Sequence, residues 1–416
     1  MSVAALRVGA DDGFTAFVDG LAAQLVRHSP TFEAFVVAMP GVMPDEALAA
    51  LRRMPGQRAA RLAADAAVDR AGPFIDQCRQ LPLPHPLDSE FRFDGLTADI
   101  LAAGLVEATR DGDEILLVGV PSVAASLASL GIDRRVRFLG PDNCVTAAVR
   151  AAIPDGRLML GQGPGGTAAA ALLDPPWYRE PMRDLIGVCA HGCRPGALVN
   201  LVVPPIGTRP EVAEDKAAFL AFTAAAGLAP TGRGGPVCYR TPLFELAAME
   251  RQGIARLASW RRGECLEFAV TATGGRVPWT PPAATELSVG GVRLRLVRGD
   301  RRGGGELVPL GSHEVHPSVS ARSQGRGAAT LWTTTNRAFV VDFDLAKAAM
   351  AEIAGDSDVL LSGFSPPESE PAREPGVAGG DGLIHQLSEL IGRENADARR
   401  LVGDGAWRET VMEWRY

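Results

Sequence analysis

Apolar residues near the start of the chain recur every three or four positions. Phe14, Phe17, Val18, Leu21, Leu25 and Val26 form one stripe, and Leu48, Leu51 and Leu62 mark a second between about Asp45 and Ala67. That period predicts helices across residues 15–80. The segment Leu81–Pro86 (LPLPHP) interrupts it, because each proline fixes its own φ and biases its predecessor toward extended backbone. After Asp88–Phe93 the helical period returns from Thr97 to Thr109. From 114 to 204 short apolar runs alternate with helical patterns. Strands are expected at Ile115–Val120, Val136–Leu139, Arg157–Leu160, Ala169–Leu173 and Ala197–Val203, with helices at Val123–Leu130, Cys144–Ala152 and Arg179–Ala190. A further amphipathic helix, Glu211–Ala226, is stopped by Gly227. This alternation predicts a doubly wound, mostly parallel α/β sheet of Rossmann-like type.

The pattern changes after about residue 255. Leu266–Thr273, Glu286–Val297 and Leu331–Phe343 alternate with period two between Gly-rich turns and predict strands. Residues 362–382 are rich in Pro, Gly, Ser and Glu without an apolar period, which predicts a flexible linker. Helices are expected again at Leu383–Ile391 and Ala398–Trp414. The expected organisation is therefore an N-terminal helical region (1–84), an α/β domain (85–254), an appended β-rich region (255–361), a linker (362–382) and a C-terminal helical segment (383–416).

Composition narrows the class. At 46% hydrophobic residues the chain is no disordered protein, and its 416 residues can bury a large core without staples. A net charge of −7 argues against a constitutive nucleic-acid binder with a broad positive field. Six scattered cysteines form no disulfide framework, no apolar run is long enough to span a membrane, and no signal peptide is evident. The expectation is a cytoplasmic, soluble protein with no membrane association. The heavy use of Gly, Ala and Arg fits a GC-rich bacterial genome.

The chemistry concentrates in Asp174-Pro175-Pro176-Trp177-Tyr178, directly after an apolar strand. Two prolines keep the chain extended past the strand end. A carboxylate and a backbone carbonyl are thereby held beside two aromatic faces. Such an array can hold an –NH2 group as donor with its lone pair aimed outward, while a ring stacks on the group bearing the amine.

DPPWY at the end of a fourth strand resembles the (D/N)PP(Y/F/W) motif of class I S-adenosylmethionine-dependent amino-methyltransferases, which methylate exocyclic or side-chain amines, N6 of adenine among them. The resemblance covers roughly residues 88–250. It implies S-adenosylmethionine as cofactor, strands one and four as neighbours, and a crevice at their carboxyl ends. Asp174 and the Pro175 carbonyl would hold the amine, and Trp177 or Tyr178 would stack on the acceptor. Gly119, Pro121 and Ser122 would form the cofactor loop, and Asp142 would hold the ribose. Asp88 and Arg92, in a segment that often lies over the pocket in that family, would clamp cofactor or substrate. The loop here is GVPSV where the family has GxGxG, and Asp142 stands beyond the end of its strand. Asp142 also reads as an N-cap of the helix at 144–152, and Asp88–Phe93 as a lid packed by Phe91 and Phe93.

Three functions stay open: methyl transfer to an amino group of a small-molecule, protein or nucleic-acid acceptor; aminopropyl transfer from decarboxylated S-adenosylmethionine; and a non-catalytic scaffold with a protein partner at 1–84, 255–361 or 383–416. No metal site is expected. Cys189-Ala-His191-Gly-Cys193 lacks a fourth ligand and reads as core cysteines with a helix-end histidine. His313 and His316 read as loop, and the Gly-rich 161–166 lacks the Lys of a phosphate-binding loop. Tyr239–Glu245 reads as an edge hairpin running into a helix. Arg293, Arg295, Arg298, Arg301, Arg302, Arg322, Arg326 and Arg337, near Trp332 and Asn336, offer either a phosphate- or base-recognising surface or a solvated face.

Overall fold

The computed structural model describes residues 3–69, 81–88, 91–131, 133–141, 143–153, 156–161, 165–275, 277, 285–297, 315–316, 329–355, 360–362 and 380–402. Asp142, most of the expected linker, and Arg298, Arg301, Arg302, Arg322 and Arg326 lie outside the described residues.

Four helices come first: α1 (Val3–Leu25), α2 (Phe32–Val37), α3 (Pro44–Arg53) and α4 (Gln57–Asp65). Local chemistry sets their starts. Thr31 Oγ1 accepts from Ala34 N at the head of α2, and Pro44 opens α3 where no N–H is needed. After α5 (Gly95–Glu107), capped by Asp94, the chain winds through β1 (Glu114–Val118), α6 (Pro121–Ser129), β2 (Arg135–Leu139), α7 (Cys144–Ala152), β3 (Leu158–Leu160), β4 (Ala168–Leu173), α8 (Arg179–Gly192), β5 (Cys193–Val203), α9 (Val212–Ala225), β6 (Leu228–Cys238), α10 (Leu243–Arg251) and β7 (Arg262–Val270).

These seven strands form one sheet in the order β3-β2-β1-β4-β5-β7-β6. β1 to β5 run parallel, and β7 is antiparallel to both β5 and β6. The protein thus has the expected Rossmann-like, doubly wound, mostly parallel sheet. The expected neighbours β1 and β4 pair from Glu114↔Ala168 to Val118↔Leu173. Every residue of both strands is buried, because helices cover the sheet on both faces and solvent has no access to its centre. Near its lower end, Arg137 reaches Glu114 at 2.8 Å and Thr167 at 3.2 Å, so a buried charge is paired.

A second, antiparallel sheet has the order β11-β10-β9-β8-β12, with β8 (Thr285–Val289), β9 (Val292–Leu296), β10 (Leu331–Thr333), β11 (Ala338–Phe339) and β12 (Leu360–Ser362). Helices α11 (Phe343–Gly355) and α12 (Gly380–Val402) pack with it. Two element expectations change. Leu266–Thr273 falls in β7, a strand of the main sheet, because its alternating face pairs with β5 and β6. The two expected C-terminal helices are one continuous helix as far as Val402, since the polar residues between them dock it. Glu394 and Asp397 receive Arg337 at 2.6 Å each, and Asn395 faces the Val289 carbonyl at 3.5 Å.

The largest core joins distant segments. Val18, Phe35 and Leu62 from the first helices, Leu246 of α10, Leu294 and Leu331 of the second sheet, and Leu387 and Val402 of α12 belong to one buried cluster. The loop after α2 packs on the loop after β5: a Cβ on Gly207 would stand 2.5 Å from the Pro40 carbonyl oxygen. The N-terminal helices therefore reach the carboxyl edge of the main sheet, where ligands of open α/β sheets bind.

Candidate active site

The carboxyl ends of β1 and β4 put Gly119 beside Asp174. Gly119 N donates to Leu139 O at 2.9 Å, and Asp174 N donates to Val118 O at 3.1 Å, so the two loops leave the sheet together. Gly119 has φ +70, and a Cβ there would lie 3.1 Å from the Asp174 carbonyl oxygen. Glycine is needed both for the left-handed backbone and for this approach. Pro121 is the first residue of α6, where its missing N–H costs nothing. Ser122 follows, 1% exposed, and its Oγ has no hydrogen-bond partner. A buried hydroxyl left open at a helix start suits a polar ligand group.

Asp174 is held by the two prolines at the crevice floor. Burial pushes its carboxyl up to about 7, against the opposing influence of the Tyr239 hydroxyl, Trp177 and Arg261. Tyr239 is buried; desolvation and the facing Asp174 carboxyl raise its phenol well above the usual range, yet the contact falls short of a well-formed hydrogen bond. Trp177 meets the Tyr239 ring edge-on with centroids 5.8 Å apart. Phe93 pairs with Tyr239 across an isolated bridge, which brings Phe91 and Phe93 to the same wall at 6.5 and 5.0 Å from the tyrosine ring. Tyr178 turns elsewhere: it precedes α8, and the Arg209 guanidinium lies 5.2 Å over its ring.

Arg261 spans the wall. Its guanidinium stacks on Phe91 at 3.6 Å, lies 5.5 Å from the Trp177 and Trp260 ring centres, and approaches Glu245 Oε1 at 3.7 Å. Glu245, in the first turn of α10, is 1% exposed, and burial pushes its carboxyl up to about 7.

The remaining expected residues are distributed as follows. Asp88 is taken up by the second sheet: it pairs with Arg293 at 2.7 Å and with Arg295, and it faces Asn143 Nδ2 at 3.4 Å. The two guanidinium groups hold its carboxyl far below the ordinary range in spite of burial. Arg92 donates to the Pro82 carbonyl, back toward the proline segment. The cap of α7 is Asn143, whose side chain accepts from Val145 N and Thr146 N. Arg293 also binds Glu286 at 2.7 Å, and Arg337 binds Glu394 and Asp397. These arginines answer buried carboxylates and present no phosphate-binding surface. Cys189 and Cys193 are buried free thiols, and His191 Nδ1 meets Gly274 O at 3.0 Å. Among the described residues no three His, Cys, Asp or Glu side chains gather as metal ligands, and no helix is long and apolar enough to cross a membrane.

No protein-family profile matches the chain, and no curated protein does. Solved structures do. A branched-chain polyamine synthase from Thermus thermophilus, in complex with N4-aminopropylspermidine and 5'-methylthioadenosine, aligns at 14% identity over 63% of this chain and 90% of its own, with a TM-score of 0.46. A geranyl diphosphate C-methyltransferase from Streptomyces coelicolor aligns at 10% identity over 41% of this chain and 77% of its own, with a TM-score of 0.28. A 16S rRNA (adenine(1408)-N(1))-methyltransferase from Catenulisporales acidiphilia aligns at 15% identity over 42% of this chain and 93% of its own, with a TM-score of 0.27. The fold assignment rests on the strand order itself.

Tyr239, Arg261, Glu245 and Trp260 are the site residues that the motif did not reveal. One signal was available: Glu245 interrupts the otherwise apolar start of α10, Leu243 to Met249, all of which is buried. A carboxylate in so apolar a run costs stability unless it has a task.

Proposed function

We propose that the protein is a transferase that moves a methyl group from S-adenosylmethionine to an amino group. The observation that carries this reading is the meeting of Gly119 and Asp174 at the ends of paired β1 and β4, with the Asp174 carboxyl buried under Trp177 and Tyr239. The residues fit such a cofactor: the space at Gly119 that a Cβ would close and the open Ser122 Oγ are polar, backbone-lined and next to the motif. Gly119, Pro121 and Ser122 would hold it. When bound, the cofactor supplies an electrophilic carbon on a positively charged sulfur.

The protein's own part follows from its groups. The Asp174 carboxylate and the Pro175 carbonyl accept hydrogen bonds from the incoming amine, which fixes the direction of its lone pair. On transfer the carbon–sulfur bond of the donor would break, leaving a neutral thioether, as nitrogen takes the carbon; the proton that the nitrogen then sheds would pass to the Asp174 carboxylate. A carboxyl at about 7 is well matched to that exchange near neutrality. Trp177 and Tyr239 wall the acceptor and exclude water.

A second reading, aminopropyl transfer from the decarboxylated cofactor, is favoured by the loop itself. Pro121 removes one backbone N–H from the loop, which leaves one donor fewer for a cofactor carboxylate. Calorimetry with S-adenosylhomocysteine and with 5'-methylthioadenosine tests both readings. Micromolar binding of the first supports methyl transfer, tighter binding of the second supports aminopropyl transfer, and binding of neither at millimolar concentration refutes both. A ligand at a hundredfold excess over its Kd adds about 2.7 kcal/mol to stability, so a rise in Tm accompanies binding.

A further inference from the structure

The helix after the motif leaves one motif carbonyl without a helical donor. Tyr178 N donates to Pro176 O at 2.7 Å, so the chain turns sharply at Trp177 before α8 begins. The first backbone bond of α8 runs from Met182 N to Tyr178 O at 3.0 Å. The residue whose N–H would reach the Trp177 carbonyl at helical spacing is Pro181, which has none. Arg209 supplies the donor instead: its Nη2 donates to Trp177 O.

Arg209 is aimed by what surrounds it. Its Nε donates to Asp215 Oδ2 at 3.2 Å, its Nη2 binds the same oxygen, and its guanidinium lies 5.2 Å over the Tyr178 ring. Asp215, in the first turn of α9, is buried, and its other oxygen receives Arg179. Burial alone would raise the Asp215 carboxyl; the two arginines hold it below the ordinary range. Three consecutive residues, Trp177, Tyr178 and Arg179, are thus tied to one buried carboxylate, the first two of them through Arg209. The residue before Arg209 is fixed in turn by the N-terminal helical region, because a Cβ on Gly41 would stand 2.5 Å from Thr208 Oγ1.

Trp177 joins the two sides of the site. It packs against the cores on both faces of the main sheet, meets Tyr239 edge-on, and is one of the groups that hold down the Asp174 carboxyl. The other groups facing that carboxyl are Tyr239, Arg261 and Cys265. They belong to the segments of β6 and β7, where Tyr239 N donates to Arg261 O at 3.1 Å, and their placement does not pass through Arg209.

We propose that Arg209 is a positioning residue: anchored on Asp215, it holds the Trp177 carbonyl and thereby keeps the Trp177 indole against Asp174. As a statement about the reaction this rests on the transferase reading, to which it adds a residue outside the motif that sets the motif's geometry.

The test uses the full chain and the emission of Trp177, taken as the difference from Trp177→Phe in each background and titrated across neutrality. In the unmodified protein this emission should follow the protonation of Asp174, with a midpoint of about 7, and the transition should be absent in Asp174→Asn. Arg209→Gln frees the indole, so the transition should lose most of its amplitude. What remains should have its midpoint moved up by about one pH unit, because the indole N–H favours the charged carboxylate. Arg209→Lys, a point donor in place of a fork, should keep part of the amplitude. Arg179→Gln is the control: it takes an arginine from the same carboxylate but leaves the donor to Trp177 O, so it should lower Tm and keep the transition. A folded Arg209→Gln with the transition of the unmodified protein overturns the proposal; if that variant does not fold, a full transition in Arg209→Lys does so. An equal loss in Arg179→Gln overturns it too, as does a Trp177 emission that ignores Asp174 in the unmodified protein. S-adenosylhomocysteine binding, measured calorimetrically on the same samples, separates the two readings. If the unmodified protein binds none while Arg209→Gln loses the transition, the transferase reading fails and the positioning by Arg209 stands; binding with an unchanged transition in Arg209→Gln gives the reverse.

Discussion

Replacing Asp174 by Asn should make the protein more stable and less active, and the gain in stability should depend on pH in a calculable way. In the unfolded chain the carboxyl titrates near 3.8, and in the folded protein burial pushes it up to about 7. Between those values the folded state holds a proton that the unfolded state has released, so stability falls as pH rises. With 1.36 kcal/mol for each factor of ten, the cost is on the order of 1.5 kcal/mol at pH 5 and about 4 kcal/mol at pH 8. Asn at 174 carries no charge and escapes this cost. Its stabilisation relative to Asp should therefore grow by roughly 2–3 kcal/mol from pH 5 to pH 8. Glu245 and Glu46, also raised to about 7, are present in both proteins and cancel in the difference. Urea unfolding of both proteins at the two pH values measures it. Single turnover on the same samples should fall about a hundredfold, because the amide still accepts a hydrogen bond from the amine but cannot take its proton. On the proposed function, kcat/KM of the unmodified protein should fall below an apparent pKa near 7, where Asp174 becomes protonated. An Asp174→Asn protein destabilised equally at both pH values, with turnover intact, would refute the reasoning and make Asp174 an ordinary turn residue.

Other substitutions probe separate parts. Gly119→Ala should cost about 1–2 kcal/mol from left-handed backbone alone, and the close Asp174 carbonyl should add to it; calorimetry should show weakened S-adenosylhomocysteine binding. Asp88→Ala leaves Arg293 and Arg295 buried short of a carboxylate and should cost on the order of 3–5 kcal/mol in urea unfolding. Glu394→Ala removes one of the two carboxylate partners of Arg337 and the acceptor for Thr335 N and Oγ1, so amide exchange across α12 should speed up while β1 and β4 keep their protection.

The central sheet was legible because its strands carry their environment in their composition. ILLV and AAAALL are apolar throughout, and only strands covered on both faces read that way. β7 was not, because its alternation is the same whether a strand joins a large sheet or starts a small one; the difference lies in pairing with β5 and β6, which local sequence does not record. The polar run around Glu394 and Asp397 resembled a break between two helices, yet those side chains are polar because they bind Arg337. The motif at Asp174–Tyr178 announced one half of the candidate site. The other half comes from Tyr239, Glu245 and Arg261, which approach Asp174 only through strand pairing and a helix start, and no spacing rule joins them to it. The expected clamp at Asp88 failed to reveal its partners for the same reason: Arg293 and Arg295 are brought to it by the second sheet.

The shared core of the first and last helices has a consequence for how the chain is made. Val18 and Leu62 belong to the same buried cluster as Leu387 and Val402. A ribosome adding about 5–20 residues per second needs on the order of half a minute to travel from one set to the other. During that interval the N-terminal helices have left the exit tunnel without the surfaces that later cover them, while the main sheet can close behind them. Newborn chains should therefore pass through a stage in which the main sheet is folded and helices α1 to α4 still expose apolar faces, and a holding chaperone would find its target there.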